Sequence, residues 1–102
     1  MNFIKYKEQD EPIVIDFAVV QIVCAKYNLT LLEFQLTGAN PEHMATVCYE
    51  GLRRGAKKYG KEFVLTIDDV VEILTESLAE FAEVFLNSVT KMFADPADKK
   101  KQ

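Results

Sequence analysis

The stretch that decides the fold of this chain is IDDVVEILTESLAEFAEVFLNSVTKMF, residues 67–93. It contains neither proline nor glycine, and its apolar residues recur every three or four positions, which predicts one long helix. The apolar residues of its second half spread over roughly 200° of a helical wheel. A helix that serves one small core needs a stripe only a little wider than about 100°. The extra apolar surface predicts a second apolar face, which packs against the rest of the domain or against a partner.

The length of this helix raises a second question. An unbroken helix over residues 67–93 would be about 40 Å long, more than the expected diameter of a 102-residue domain. Either the helix breaks between Ser77 and Glu80, or its C-terminal half projects from the domain. We expect the outer side of residues 78–93 to bind a partner through these anchor residues: Phe81, Phe85, Val89, Met92 and Phe93.

The residues before this helix predict an N-terminal β-hairpin and three shorter helices. The fold class is therefore mainly α with a minor β part, in which the hairpin packs on a bundle of about four helices. Strands are expected at 3–6 and 13–15, with a turn between them. Helices are expected at 17–27, 30–37 and 41–59, and Thr66 is the expected N-cap of the last one. Residues 1–94 form a single domain in this interpretation, and the polar tail 95–102 is expected to be disordered.

Two glycines, Gly51 and Gly55, interrupt the third predicted helix. Each costs about 1 kcal/mol of helix propensity relative to alanine. They indicate either the close approach of another helix or a helix that ends early, near Gly55.

Composition restricts the class of protein. The net charge of −4 and the pI of about 5.0 disfavour general nucleic-acid binding, which depends on neutralising phosphates. No apolar run approaches the roughly 20 residues of a membrane span, and the start of the chain lacks the apolar core of a secretory signal. Cys24 and Cys48 fall in apolar helical patterns and are interpreted as reduced, buried thiols. A cytoplasmic protein is expected.

Charge is segregated along the chain. A basic cluster ends the third helix and is followed by an acidic stripe, spaced four residues apart, on the last helix. The basic cluster consists of Arg53, Arg54, Lys57, Lys58 and Lys61, and the acidic stripe of Glu72, Glu76 and Glu80. Both could be ordinary solvated surface. Alternatively, the acidic stripe meets a basic surface on the third helix or on a partner, or the basic cluster contacts nucleic acid.

Residues suited to catalysis do not cluster in the sequence. His43 is the only histidine, and it lies in the first turn of a helix, where protonation is disfavoured. Asp68 and Asp69 are adjacent on a helix and so face apart. The chain has no CxxC, HExxH, P-loop or GxGxxG motif. We expect a protein that is not an enzyme, with no catalytic, cofactor-binding or metal-binding residues.

The order of these elements resembles the tail assembly chaperones of long-tailed bacteriophages. In that family an aromatic-Gly-Leu-basic phrase often precedes a helix that begins Thr-x-x-(Asp/Glu)-Val. The matching residues here are Tyr49, Gly51, Leu52 and Arg53, followed by Thr66, Asp69 and Val70. The resemblance covers roughly residues 3–75. The basic cluster is denser than the family pattern, and the apolar helix 78–93 is longer.

The resemblance implies a small, mostly helical phage or prophage protein of the bacterial host cytoplasm. Such a protein would bind the tape-measure protein or tail-tube subunits through its apolar C-terminal helix, and could also associate with itself. Two alternatives stay open from the residues alone. One is a small nucleic-acid-associated regulator that uses the basic cluster. The other is an inhibitor of the antitoxin type, whose acidic stripe masks a basic partner.

Overall fold

The computed structural model describes residues 2–94 and confirms a mainly α fold with one hairpin. The chain begins with two strands, β1 (Asn2–Tyr6) and β2 (Gln9–Ile13). Four helices follow, α1 (Phe17–Tyr27), α2 (Leu31–Gln35), α3 (Pro41–Tyr59) and α4 (Ile67–Phe93), with a short 3₁₀ turn (Thr37–Ala39) after α2. The tail 95–102, for which disorder was predicted, lies outside the described residues.

The hairpin is longer and its turn tighter than the sequence predicts. The strands β1 and β2 are antiparallel, with Tyr6 opposite Gln9 and Phe3 opposite Pro12. The turn consists of Lys7 and Glu8 alone, both in the left-handed region at φ 50° and 67°. The prediction of a turn that extends to Pro12 is wrong, because a two-residue loop of this conformation matches the twist of the strands. Pro12 is tolerated within β2 because each strand of a two-stranded sheet has a free edge.

The predicted helix ends are largely confirmed. Asp16 caps α1 by accepting a hydrogen bond from the backbone N–H of Val19 at 3.4 Å. Asn40 caps α3, with Pro41 at its first position, and Gly60 ends it at φ 79°. The exception is α2, which stops at Gln35 rather than running to the glycine at 38, because the chain tightens into the 3₁₀ turn.

The two glycines of α3 are explained by the hairpin. The backbone N–H of Val14 donates to the carbonyl oxygen of Gly51 at 3.0 Å. A Cβ atom on Gly55 would overlap the carbonyl group of Pro12, so β2 crosses α3 at backbone distance. Both sequence explanations are therefore wrong: the close neighbour is a strand rather than a helix, and α3 continues past Gly55 to Tyr59.

The long helix α4 breaks at Ser77, as one of the two predictions required. Ser77 has non-helical dihedral angles, φ −132° and ψ 34°. Buried side chains of both halves belong to one core, and the longest dimension of the molecule, 41 Å, is about the length expected for the whole helix. None of the helices within residues 2–94 is long and apolar enough to cross a membrane. The buried residues of α4 are Val70, Ile73, Phe81, Val84 and Val89.

Candidate protein-interaction surface

The first half of α4 is fixed at its start by a capping box. The backbone N–H of Asp69 donates to Thr66 Oγ1 at 3.2 Å, and the backbone N–H of Thr66 donates to Asp69 Oδ2 at 2.8 Å. The hydrogen bond from the Thr66 backbone is the main reason that the pKa of Asp69 is lowered. These contacts satisfy backbone donors that a helix start otherwise leaves unpaired.

Strand β1 holds the same half of α4 from the side. The hydroxyl group of Tyr6 lies 2.6 Å from Glu72 Oε2 and 2.8 Å from Asp69 Oδ1, and it is the donor shared by both carboxylates. The hydrogen bond to Glu72, followed by that to Asp69, raises the pKa of Tyr6 well above its ordinary value. The hairpin therefore orients α4 through one phenol and two carboxylates.

One face of α4, from its start to the residue just after the break, is apolar and exposed. Val70 and Ile73 face the core and are fully buried. On the neighbouring face Ile67, Val71 and Leu78 are 52%, 51% and 47% exposed, and Leu74 between them is half-buried. These four residues (Ile67, Val71, Leu74 and Leu78), here called the apolar stripe, are spaced 4, 3 and 4 apart, so they share one side of the helix.

The predicted anchors lie mainly in the core instead. The expectation that Phe81 and Val89 face outward is wrong, because they are only 2% and 8% exposed. Phe81 lies 11 residues after Val70, so it falls on the same side of α4 as the buried residues of the first half. Phe85 is half-buried, and its ring centroid lies 5.9 Å from that of Phe34 in α2.

The last two predicted anchors occupy an intermediate position. Met92 and Phe93 are half-buried and pack against the core. Met92 also borders a groove of about 540 Å³ between the end of α4 and the chain that leaves the hairpin. The exposed large apolar residues of α4 after Ser77 are Leu78, at 47%, and Leu86, at 63%. The surplus apolar surface therefore lies at the start of α4 and around the break rather than at the predicted anchors.

The basic cluster is largely engaged within the protein. Arg54 Nε and Lys58 Nζ lie 2.9 Å and 3.2 Å from Asp16 Oδ2. Hydrogen bonds from Arg54 and Lys58 outweigh the effect of burial and lower the pKa of Asp16. Lys61 Nζ donates to both carboxylate oxygens of Glu11, which is 7% exposed in β2. Three of the five cations thus tie α3 and the chain after it to the hairpin and to the start of α1.

The acidic stripe does not meet the basic cluster inside this molecule. Glu72, Glu76 and Glu80 are all exposed. The four ion pairs among residues 2–94 join the basic cluster to Glu11, Asp16 and Glu50. Of the acidic stripe, Glu72 contacts the hairpin through Tyr6, a contact between residues 66 positions apart that no sequence pattern indicated. The negative charge of the acidic stripe as a whole is exposed to solvent and accessible to a partner.

The side chains that could take part in catalysis or metal binding lie in packed positions. The ring centroid of His43 lies 4.3 Å from that of Tyr27, whose hydroxyl group is 2.7 Å from Thr46 Oγ1. Burial raises the pKa of the Cys48 thiol to about 12, so it stays protonated. Cys24, predicted to be buried, is only half-buried, and both thiols are free. Residues 2–94 contain no group of three potential metal ligands.

The contact made by Tyr6 yields a prediction for pH dependence. We expect Tyr6→Phe to lower the urea midpoint of unfolding at neutral pH, because Asp69 and Glu72 lose their shared donor. The raised pKa of Tyr6 makes its stabilisation complete below about pH 10 and lost as the pH rises further. The lowered pKa of Asp69 makes its share present above about pH 4 and lost as the pH falls through the folded-state value.

Urea unfolding of wild type and Tyr6→Phe across pH 3–11 checks this prediction. The difference between their midpoints should be largest in the middle of the range and shrink at both ends. Tyr59→Phe is the matched control, because Tyr59 is 60% exposed and contacts Phe3 through its ring. A midpoint difference that is independent of pH would contradict the shared-proton arrangement.

The residues that carry the family resemblance have structural roles. Gly51 accepts the hydrogen bond from Val14, Leu52 and Val70 are in the core, and Thr66 and Asp69 form the capping box. Caps, core residues and a close-packed glycine of this kind also occur in unrelated helical proteins. Comparison of the chain with protein-family models, with curated proteins and with solved structures gave no match.

Proposed function

We propose that this protein is a non-enzymatic tail assembly chaperone of a long-tailed phage or prophage, acting in the bacterial host cytoplasm. In this proposal it binds an apolar segment of a tape-measure or tail-tube protein and keeps that segment from aggregating. The apolar stripe of α4 carries the proposal, and the sequence resemblance over residues 3–75 supports it. The binding surface is moved from the predicted anchors to Ile67, Val71, Leu74 and Leu78, which are accessible in the folded chain.

The environment of the apolar stripe supports a binding role. Three of its four residues lie on the half-helix that is capped at its start and held laterally by Tyr6, and Leu78 follows directly after the break. Its exposed side chains therefore stand on a rigid support, which lowers the ordering cost of binding. Contiguous exposed apolar residues bordered by charged ones are typical of protein interaction sites. Contact between an apolar helix face and an apolar segment of a partner is a common mode of peptide recognition.

The alternative function as a nucleic-acid-associated regulator has less support. Arg54, Lys58 and Lys61 are paired with acidic residues of the same chain. A phosphate backbone would have to compete with Asp16 and Glu11 for these cations. That competition leaves little net charge for the counterion release that drives such binding.

The proposed function predicts the loss of client protection when the apolar stripe is made polar. We expect Val71→Gln with Leu78→Gln to abolish the protein's ability to keep a co-expressed tape-measure protein soluble. The folded domain should change stability by less than about 1 kcal/mol, because both side chains are about half exposed. The measurement is the soluble fraction of the tape-measure protein after co-expression, together with urea unfolding of the purified variant.

A matched control removes the same kind of surface elsewhere. Leu32→Gln with Leu36→Gln changes two leucines of the α2 region that are 68% and 64% exposed. This variant should protect the client as well as wild type does. Equal protection by the α4 variant, or no protection by wild type against either tape-measure or tail-tube protein, would refute the proposed function.

A further inference from the structure

We propose that the partner segment bound by the apolar stripe is an amphipathic helix flanked by lysine or arginine, and not a second copy of this chain. This inference rests on the proposed function only in taking the apolar stripe as a binding site. It adds the secondary structure and the charge of the occupant.

The spacing of the apolar stripe indicates that the occupant is a helix. Ile67, Val71, Leu74 and Leu78 follow the alternating three- and four-residue steps of a helix-pairing seam. The next position of the seam is Phe81, which is buried in the core and ends the accessible part. The exposed part is about 16 Å long, which corresponds to about three turns of a partner helix.

The charge around the seam specifies the partner's flanks. From Glu62 to Thr90 the chain has seven acidic residues and no basic one. At 100° per residue, Asp68 is the acid of α4 that lies nearest the apolar stripe, whereas Glu72 lies on the far side with Asp69, where both accept from the Tyr6 hydroxyl group. Glu76 and Glu80 point further away. A helix seated on the seam therefore meets a negative border, which favours lysine or arginine beside its own apolar face.

The same charges argue against a second copy as the occupant. Pairing α4 with α4 of another copy would bring together two helices that each carry six acidic residues and one lysine, Lys91. That lysine lies beyond the break and about 20 Å along the helix from Leu78, so it cannot offset the charge at the seam. Like-charge juxtaposition at an interface disfavours association.

Two synthetic helical peptides of about 18 residues test the inference. They share one leucine face with three- and four-residue spacing, and their flanking positions carry lysine in one and glutamate in the other. We expect the full-length protein to bind the lysine peptide at least about tenfold more tightly at physiological salt, with an advantage that falls as salt is raised. Asp68→Asn should lower that advantage by about threefold.

The matched control neutralises one acid of the same helix that faces away from the apolar stripe. Glu76→Gln removes the same charge, yet it should preserve most of the preference, because distant exposed charges are screened within about 8 Å at physiological salt. Val71→Gln with Leu78→Gln should abolish binding of both peptides.

Three results would overturn the inference. One is equal affinity for the two peptides, and another is no binding of either. The third is self-association in sedimentation equilibrium that Val71→Gln with Leu78→Gln abolishes. If wild type still protects the tape-measure protein in these cases, the proposed chaperone function is retained and the proposal of a basic amphipathic helix as its partner is rejected.

Discussion

Phe81→Ala is expected to destabilise the domain by about 3–5 kcal/mol. The side chain is 2% exposed, and its ring centroid is 6.2 Å from that of Phe85, so truncation leaves a cavity where α4 turns back onto the core. Domains of this size have a total stability of about 5–15 kcal/mol, so the variant should be marginally folded. Urea unfolding followed by circular dichroism measures the change.

The contrast with Leu86 separates core from surface within the same half-helix. Leu86 is 63% exposed, and Leu86→Ala should change the free energy of unfolding by no more than about 0.5 kcal/mol. If Phe81→Ala were equally mild, the second half of α4 would not pack as described. Residues 81–93 would then regain the role of outward-facing anchors that the sequence alone predicts.

Gly55→Ala is the second substitution with a large expected effect. The new Cβ would overlap backbone atoms of Pro12 and Ile13, and a backbone cannot give way as the end of a flexible side chain does. Overpacking of this kind costs about 1–3 kcal/mol or more, which exceeds the gain of about 1 kcal/mol in helix propensity. We expect a net loss of stability and partial detachment of the hairpin from α3, visible as faster amide exchange in β2.

The other glycines provide a graded series for this test. A Cβ on Gly51 would lie 3.1 Å from a side-chain atom of Ile13, which can adjust, so Gly51→Ala should be milder. A Cβ on Gly38 would meet only a ring atom of Phe85 at 4.0 Å, and Gly38→Ala should be close to neutral. A Gly55→Ala variant as stable as Gly38→Ala would contradict the close crossing of β2 over α3.

Local chemistry made much of the fold predictable. The caps at Asp16, Thr30, Asn40 and Thr66 are recognisable because each depends on a side chain that contacts the backbone three residues away. The mainly helical class was predictable from apolar periodicity, which also depends on residues three or four positions apart. The sequence does not indicate the two-residue turn, because lysine and glutamate rarely adopt the left-handed conformation that Lys7 and Glu8 have here.

The candidate site was only partly predictable. An excess of apolar surface on the last helix was evident in the sequence, and the break near Ser77 was one of two expected solutions. A helical wheel places Phe81 on the side of Val70, but it does not show which side of the helix the rest of the chain covers. The predicted face therefore includes the buried Phe81 and Val89, although the sequence also contains the helical spacing of Ile67, Val71, Leu74 and Leu78.

Local sequence specifies where most of the helices begin and end, that one helix carries more apolar surface than a small core needs, and that its charge is almost entirely negative. These properties depend on residues within a few positions of one another. The folded arrangement alone specifies which strand crosses the glycines of α3, which acids neutralise the basic cluster, and which face of α4 is exposed to solvent. Those outcomes depend on contacts between residues about 40 or more positions apart, whose pairing follows from packing of the whole chain and not from any local preference.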